Sequence, residues 1–195
     1  MRNSIKQLAI FASGQGSNAA KIIAYFKNHA YIKISLIVTN NQHSKVIELA
    51  QQNGIPFYIT IKENFFSANS IVSILEYHGI NFIVLAGFLW KIPSKLIHSY
   101  QNKIFNVHPA LLPKFGGKGM YGRHVHQAVI MAKEKESGIT IHYVNEELDK
   151  GDIIFQIKYD VEFNETPESL SLKVRELEHA HYSKIIEQCI IKLTR

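Results

Sequence analysis

An amide and an imidazole lie two residues apart at the end of an apolar segment, residues 104–108. Side chains at such a spacing in an extended strand point to the same side. Asn106 and His108 could therefore face one substrate, Asn106 as a hydrogen-bond donor and His108 as a proton donor or acceptor. Pro109 and Pro113 end the strand. A surface loop that contains a histidine by chance is the alternative.

Asp149 is a carboxylate that could assist His108. It lies in the acidic segment 146–152, between two segments of alternating polarity. If it lay near His108, its charge would raise the affinity of the imidazole for a proton and favour acid–base catalysis. Asp149 also precedes Lys150 and Gly151, where a turn favours Asp or Asn. Sequence spacing leaves the catalytic and the turn interpretations open.

A glycine-rich loop follows the first predicted strand and precedes a helix; it consists of Gly14, Gln15, Gly16, Ser17 and Asn18. Glycines let the backbone approach a phosphate, and the start of a helix attracts negative charge. A dinucleotide site would also need a carboxylate after the second strand. The first carboxylate after the second strand is Glu48, well beyond the end of that strand. The pattern therefore favours a site for a single phosphate over a site for NAD. A tight turn without a ligand is the alternative.

Three further histidines, His124, His126 and His142, lie near the second glycine-rich segment or the strand ends. A metal site would combine His124 and His126 with a carboxylate. Alternate spacing at the start of a helix is a poor chelate, and no second Cys or His-x-x-x-His pair supports it. We expect substrate contacts or loop hydrogen bonds, and no metal.

The composition is that of an ordinary globular protein. Its 195 residues are 46% hydrophobic and 19% charged, which suits one α/β domain with a sizeable core. The net charge of +6 is scattered along the chain, which favours small anionic substrates over nucleic acid. We expect no membrane partner, because no apolar segment could span a bilayer and no signal peptide precedes the first strand. The single Cys189 predicts core packing and a reducing cytoplasm.

Hydrophobic periodicity predicts a doubly wound α/β fold with a mostly parallel, Rossmann-like sheet. Strands are predicted at 7–12, 34–38, 57–60, 82–86 and 104–107, and the helices between them include 45–52, 67–78, 94–100 and 124–133. Alternation at 139–144 and 153–159 predicts an antiparallel C-terminal hairpin. A long helix from Pro167 to about Leu193, capped by Thr166, ends the chain.

Several motifs occur in the order found in glycinamide ribonucleotide (phosphoribosylglycinamide) formyltransferases, a family of folate-dependent enzymes that the chain resembles over its whole length. They are Ser13-Gly14-Gln15-Gly16-Ser17-Asn18, Leu85-Ala86-Gly87-Phe88, Asn106-Val107-His108-Pro109-Ala110-Leu111-Leu112-Pro113, Gly138-Ile139-Thr140-Ile141-His142, Glu147-Leu148-Asp149-Lys150-Gly151 and Glu178-His179-Ala180-His181-Tyr182. The Asn-x-His-Pro element is shared by the wider formyltransferase group. The first motif narrows the resemblance to this branch and the formyltetrahydrofolate hydrolases.

The resemblance implies transfer of a formyl group from 10-formyltetrahydrofolate to the amine of glycinamide ribonucleotide, in purine synthesis. Asn106 and His108 would stabilise the oxyanion and Asp149 would assist proton transfer. Folate is then a cosubstrate, and no bound cofactor is expected. The protein would be a cytoplasmic monomer or homodimer, with a phosphate-binding half at 1–100 and a folate-binding, catalytic half at 101–195.

By the same resemblance, the substrate phosphate contacts Gly14, Gln15, Gly16, Ser17, Asn18 and Lys62. The ribose and amine contact Glu178, Gly87 and Pro109. The folate contacts Leu85, Phe88, Leu89, Trp90, Lys91, Ile92, Asn106, Val144, Glu147 and Asp149. Two features depart from many relatives: a longer loop at 115–122, and Trp90 where they carry Arg.

Three other functions are alternatives. Formyltetrahydrofolate hydrolases and methionyl-tRNA formyltransferases carry an additional terminal domain, which is not expected here because the first strand starts near Gln7 and the last helix ends the chain. A nucleotide-binding regulatory module would need the glycine-rich loop, but not Asn106, His108 and Asp149 together.

Overall fold

The structure is a computed structural model that describes residues 4–67 and 70–194. The chain divides into two compact units, Met1–Ile104 and Phe105–Arg195. Within the described ranges, no helix is long and apolar enough to cross a membrane. The single domain with halves 1–100 and 101–195 stays a prediction.

Parallel strands form the centre of the first unit, in the order β3-β2-β1-β4. They are β1 (Lys6–Phe11), β2 (Ile32–Thr39), β3 (Phe57–Ile59) and β4 (Phe82–Leu85). The helices of this unit are α1 (Ser17–Phe26), α2 (Val46–Gln52), α3 (Lys62–Phe66), α4 (Ser70–Tyr77) and α5 (Ser94–Ser99).

Burial explains why β1 is a continuous apolar segment. Its residues Leu8, Ala9, Ile10 and Phe11 are all fully buried, as expected of a parallel strand that is covered on both faces. Helix α1 contributes Ala19, Ile22, Ile23 and Phe26 to the core, which is the apolar stripe of an amphipathic helix. The sheet therefore holds the loop between β1 and α1 at its carboxyl edge.

Antiparallel strands characterise the second unit, in the order β5-β6-β7. They are β5 (Ile104–His108, which starts at the last residue of the first unit), β6 (Glu136–Tyr143) and β7 (Ile153–Asp160). The helices are α6 (Arg123–Met131) and α7 (Pro167–Leu193). In the register of β5 and β6, Asn106 lies opposite His142 and His108 lies opposite Thr140.

The start of α7 is fixed by hydrogen bonds that the sequence predicted in part. Thr166 and Ser169 form a capping box and Pro167 occupies the first turn, which satisfies donors that a helix start leaves free. Before the cap, the buried carboxylate of Glu165 accepts hydrogen bonds from Ser169, Tyr159 and Lys173. These contacts join β7 to α7.

The predicted parallel strands, antiparallel hairpin and long final helix are confirmed, and most boundaries agree within three residues. The predicted helix at 67–78 is wrong at its start, because Ser67 is extended (φ −69°, ψ 130°) and ends the separate helix α3. Residues 68 and 69 of that prediction lie outside the described part. Strand β6 begins at Glu136 rather than at 139, since Glu136, Ser137 and Gly138 already pair with β7.

Candidate functional site

The glycine-rich loop of the first unit ends in a left-handed residue at the start of α1. Gly16 has φ 76° and ψ 18°, a conformation that residues with a β-carbon rarely adopt. The N-cap residue of α1 is this glycine, which has no side chain that could cap the helix, and the start of a helix attracts negative charge. Such an arrangement can hold a phosphate.

Hydrogen bonds at Ser13 join this loop to the segment after β4. The Ser13 amide donates to the Gly87 carbonyl over 3.1 Å, and the Ser13 hydroxyl accepts from the Leu89 amide over 3.0 Å. The Ser44 hydroxyl donates to the Gly14 carbonyl at 2.7 Å. The structure thus brings the predicted phosphate residues together with Gly87, whereas Lys62 lies exposed in the first turn of α3.

The second unit places Asn106 beside a buried imidazole. The Asn106 Nδ2 group lies 3.1 Å from His142 Nε2, and His142 Nδ1 lies 2.8 Å from the Tyr143 carbonyl. The carbonyl can only accept, so Nδ1 donates and Nε2 accepts from the amide. His142 is therefore a neutral imidazole that orients the Asn106 amide.

His108 lies between a carbonyl and a carboxylate. Its Nε2 group donates to the Phe115 carbonyl over 2.7 Å, which leaves Nδ1 facing Asp149 Oδ2 at 3.6 Å. The other carboxylate oxygen lies 3.8 Å from His142 Nε2. The side chains of His108 and Asp149 are 4% and 15% exposed, so water screens their interaction weakly.

Asp149 also has the backbone geometry of a turn residue. Its φ is 56°, a left-handed conformation that Asp and Asn tolerate best among residues with a β-carbon. The Gly117 amide donates to Asp149 Oδ2 over 2.8 Å. The turn interpretation and the proximity to His108 are therefore both correct.

Burial favours the neutral form of the imidazoles in this cluster. Desolvation lowers the pKa of His108 below 6.5, against the raising effects of Asp149 and of the Phe115 carbonyl. Desolvation likewise lowers the pKa of His142, although the Tyr143 carbonyl and Asp149 raise it. The cost of placing a charge in a dry site exceeds the attraction to the single carboxylate.

His126 and His124 occupy different environments on α6. His126 is 4% exposed, and burial lowers its pKa first, with further lowering by Arg175 and His108. Its Nδ1 atom is buried without a hydrogen-bond partner among the described residues. His124 is exposed and lies edge-on to Tyr121. Across the described ranges, no group of three or more His, Cys, Asp or Glu could hold a metal ion, and the absence of a metal stays a prediction.

The remaining predicted residues are distributed over both units. Leu85 and Ile92 are buried, Phe88 and Trp90 half-buried, and Leu89 and Lys91 exposed. Pro109, Val144 and Glu178 are half-buried in the second unit. Glu147 is exposed and pairs with Lys150. Their contacts with substrates stay predictions.

Sequence reasoning missed the groups that hold the segment after His108. The Thr140 hydroxyl donates to the Ala110 carbonyl over 2.7 Å and accepts from the Leu112 amide over 3.0 Å. Alternation along β6 could have indicated Thr140, because it shares a face with His142. The Phe115 carbonyl and the Gly117 amide are backbone groups, for which residue types give no signal.

Known proteins match the chain over most of its length. Residues 6–186 match the formyl transferase family. A chloroplastic phosphoribosylglycinamide formyltransferase of Arabidopsis thaliana is 41% identical over 93% of this chain, but the chain spans only 64% of that protein, less than two thirds. The phosphoribosylglycinamide formyltransferase of Bacillus subtilis is 33% identical, with 95% of each chain covered.

A solved structure supports the same relationship. The phosphoribosylglycinamide formyltransferase of Bacillus halodurans is 34% identical, with a TM-score of 0.85 and 94% of each chain covered. This agreement confirms the predicted fold class and the resemblance drawn from the motifs. The chain therefore belongs to the formyl transferase family.

Proposed function

We propose that the chain transfers the formyl group of 10-formyltetrahydrofolate to the amine of glycinamide ribonucleotide. The observation that carries the proposal is the buried cluster in which His108 lies 3.6 Å from Asp149 and the Asn106 amide is oriented by His142. An amide donor beside an imidazole and a carboxylate suits acyl transfer to an amine. The names of the relatives in Arabidopsis and Bacillus agree with this reaction.

The reaction forms a bond between the amine nitrogen and the formyl carbon, whose oxygen becomes an oxyanion. Asn106 would donate its amide hydrogen to that oxygen, and His108 would donate through Nε2. Collapse of the intermediate breaks the bond to the folate nitrogen N10. The proton lost by the amine must reach N10, and His108 with Asp149 would carry it, directly or through water.

The Phe115 carbonyl now occupies the Nε2–H group of His108. A neutral imidazole has one N–H, so a substrate oxygen can accept it only after the Phe115 carbonyl leaves. The attraction of Asp149 at Nδ1 would then favour the protonated ring as negative charge develops on the substrate. The same backbone segment would therefore be displaced when substrate binds.

The substrate phosphate would bind the loop of Gly14, Gln15, Gly16, Ser17 and Asn18, at the start of α1, whose N-cap is Gly16. Glu178, Gly87 and Pro109 would contact the ribose and the amine. The folate is a cosubstrate, and we propose that no metal or bound cofactor takes part. A cytoplasmic monomer or homodimer remains part of the proposal.

The test is an assay of the purified protein with glycinamide ribonucleotide and 10-formyltetrahydrofolate, with the formylated ribonucleotide and tetrahydrofolate quantified. We expect both products in equal amounts, dependent on both substrates. Release of formate without a formylated ribonucleotide would indicate hydrolysis instead. No turnover, together with stabilisation by the ribonucleotide alone in melting curves, would favour a binding module.

A further inference from the structure

The segment between β2 and α2, residues 40–45, is hydrogen-bonded to the backbone of the glycine-rich loop. The Ser44 hydroxyl donates to the Gly14 carbonyl over 2.7 Å. The Asn41 Nδ2 group donates to the carbonyl of Ser13, the residue directly before the loop, over 3.2 Å. Two side chains of one segment therefore hold two consecutive carbonyls, and all four residues belong to the first unit.

The donor roles of both side chains are fixed by their own neighbours. The His43 amide donates to Asn41 Oδ1 over 3.0 Å, which leaves Nδ2 as the donor toward the glycine-rich loop. The Val46 amide donates to Ser44 Oγ over 3.4 Å, so the hydroxyl hydrogen is free to donate to the same loop. Ser44 is 5% exposed, and a buried carbonyl that lost this donor would have little access to water as a replacement.

The two held carbonyls determine where the neighbouring N–H groups point. In a trans peptide the C=O and N–H bonds point in opposite directions, and the peptide bonds of this loop are trans. The Ser13 carbonyl shares its peptide with the Gly14 N–H, and the Gly14 carbonyl shares its peptide with the Gln15 N–H. Both carbonyls point toward residues 40–45, so both N–H groups point away from them. Successive N–H groups that are directed to one side suit an anion such as phosphate.

We propose that Ser44 and Asn41 are positioning residues for the ribonucleotide phosphate, a role that rests on the proposed function. Neither side chain would touch the substrate. Each would hold one carbonyl so that the N–H group of the same peptide faces the phosphate before the substrate arrives, which lowers the cost of ordering the loop on binding. The phosphate does not change during formyl transfer, so the two residues contribute to binding and not to the chemical step.

The test variants are Ser44→Ala and Asn41→Ala, compared with wild type in steady-state kinetics. Ser44→Ala should raise KM for glycinamide ribonucleotide about two- to tenfold, the factor that one neutral hydrogen bond contributes. Its kcat and its KM for 10-formyltetrahydrofolate should not change. Asn41→Ala should have a smaller effect of the same kind, because Asn41 is exposed and water can replace its amide. Ser44→Thr keeps the hydroxyl and should recover most of the loss.

The matched control is Ser137→Ala, which also removes a buried hydroxyl. Ser137 is 2% exposed, and its Oγ atom has no hydrogen-bond partner in the described part of the chain, so this variant should keep both KM values. Ribose 5-phosphate serves as a second probe, since it carries the phosphate but no amine. Its dissociation constant, measured by calorimetry without folate, should rise in Ser44→Ala by about the same factor as KM. Melting curves show whether each variant is folded.

The outcomes separate this inference from the proposed function. If the wild type transfers formyl groups but folded Ser44→Ala keeps the wild-type KM for the ribonucleotide, the inference is wrong and the function stands. An equal rise of both KM values, or a fall in kcat alone, would also overturn it, because Ser44 would then support the fold in general. If Ser44→Ala does not fold, Asn41→Ala decides by the same comparison.

A wild type that transfers no formyl group would refute the proposed function. Weaker binding of ribose 5-phosphate by Ser44→Ala would then still support a phosphate site that Ser44 positions. Unchanged binding of ribose 5-phosphate by this variant, or no binding by the wild type, would overturn the inference as well.

Discussion

Asp149→Asn removes one charge from the cluster and almost nothing else. Asn tolerates the left-handed backbone that Asp149 adopts (φ 56°), and its side-chain oxygen can still accept from the Gly117 amide. The variant should therefore fold and bind both substrates. It should lose the attraction between a carboxylate and the imidazolium that forms at His108 during turnover.

The distance sets the size of that loss. At the 3.6 Å between His108 Nδ1 and Asp149 Oδ2, two unit charges attract by about 4.6 kcal/mol at an effective dielectric constant of about 20. That free energy corresponds to about a 10³-fold change in rate, within the range of about 10²–10⁴-fold typical of acid–base assistance. Because Asp149 raises the pKa of His108, the limb of the pH–rate profile that belongs to His108 should also move to lower pH.

The assay compares steady-state kinetics and pH profiles of four proteins: wild type, Asp149→Asn, His108→Ala and the double variant. We expect each single variant to lose a similar factor in kcat. The double variant should be little slower than either, since residues that act as one unit are non-additive. If folded Asp149→Asn turned over at nearly the wild-type rate, Asp149 would be a turn residue only, and the catalytic assignment would be refuted.

Three further predictions concern binding, metal independence and stability. Gly16→Val should raise KM for the ribonucleotide at least about tenfold without changing KM for the folate. The control Gly54→Val has a similar left-handed backbone (φ 62°) away from the loop and should change neither KM. Equal loss of both ligands in Gly16→Val would indicate misfolding. Activity should survive exhaustive chelation, and a stoichiometric metal on the active protein would contradict this. Burial raises the pKa of Glu165, but hydrogen bonds from Ser169, Tyr159 and Lys173 outweigh it and lower this pKa from 4.5 to about 2. The Glu165 carboxylate therefore stabilises the fold above about pH 4.5 and loses that effect as the pH falls toward 2. Glu165→Gln should therefore be less stable than wild type by about 2–3 kcal/mol near neutral pH, with the gap closing by pH 2 in denaturant titrations; a gap independent of pH would contradict the assignment.

The alternation of side chains along a strand was sufficient to place Asn106 and His108 on one side of β5. In the pairing of β5 with β6, His142 lies opposite Asn106. Asp149 was recognisable as a turn residue from its neighbours, but its 3.6 Å approach to His108 depends on how β6 and β7 pair. Helix α3 has only five residues, too few for a periodic pattern to distinguish it from the helix that follows. No helix was therefore predicted at residues 62–66.

Burial favours the neutral form of His108 in the structure, whereas the proposed reaction requires it to be protonated. Displacement of the Phe115 carbonyl by substrate would connect the two states. In the structure, a neutral carbonyl at Phe115 and one carboxylate at Asp149 do not offset the cost of burying a charge, so the pKa of His108 lies below 6.5. In the proposed reaction, a formyl oxygen that replaced the Phe115 carbonyl would at first be another neutral acceptor, and the balance would change little. As the amine added, that oxygen would become an anion, and the imidazolium would then be flanked by two negative charges in a buried site. Such an attraction would stabilise the transition state without strengthening the binding of the substrate, because it would appear only once the oxyanion forms. This is the condition for a faster chemical step.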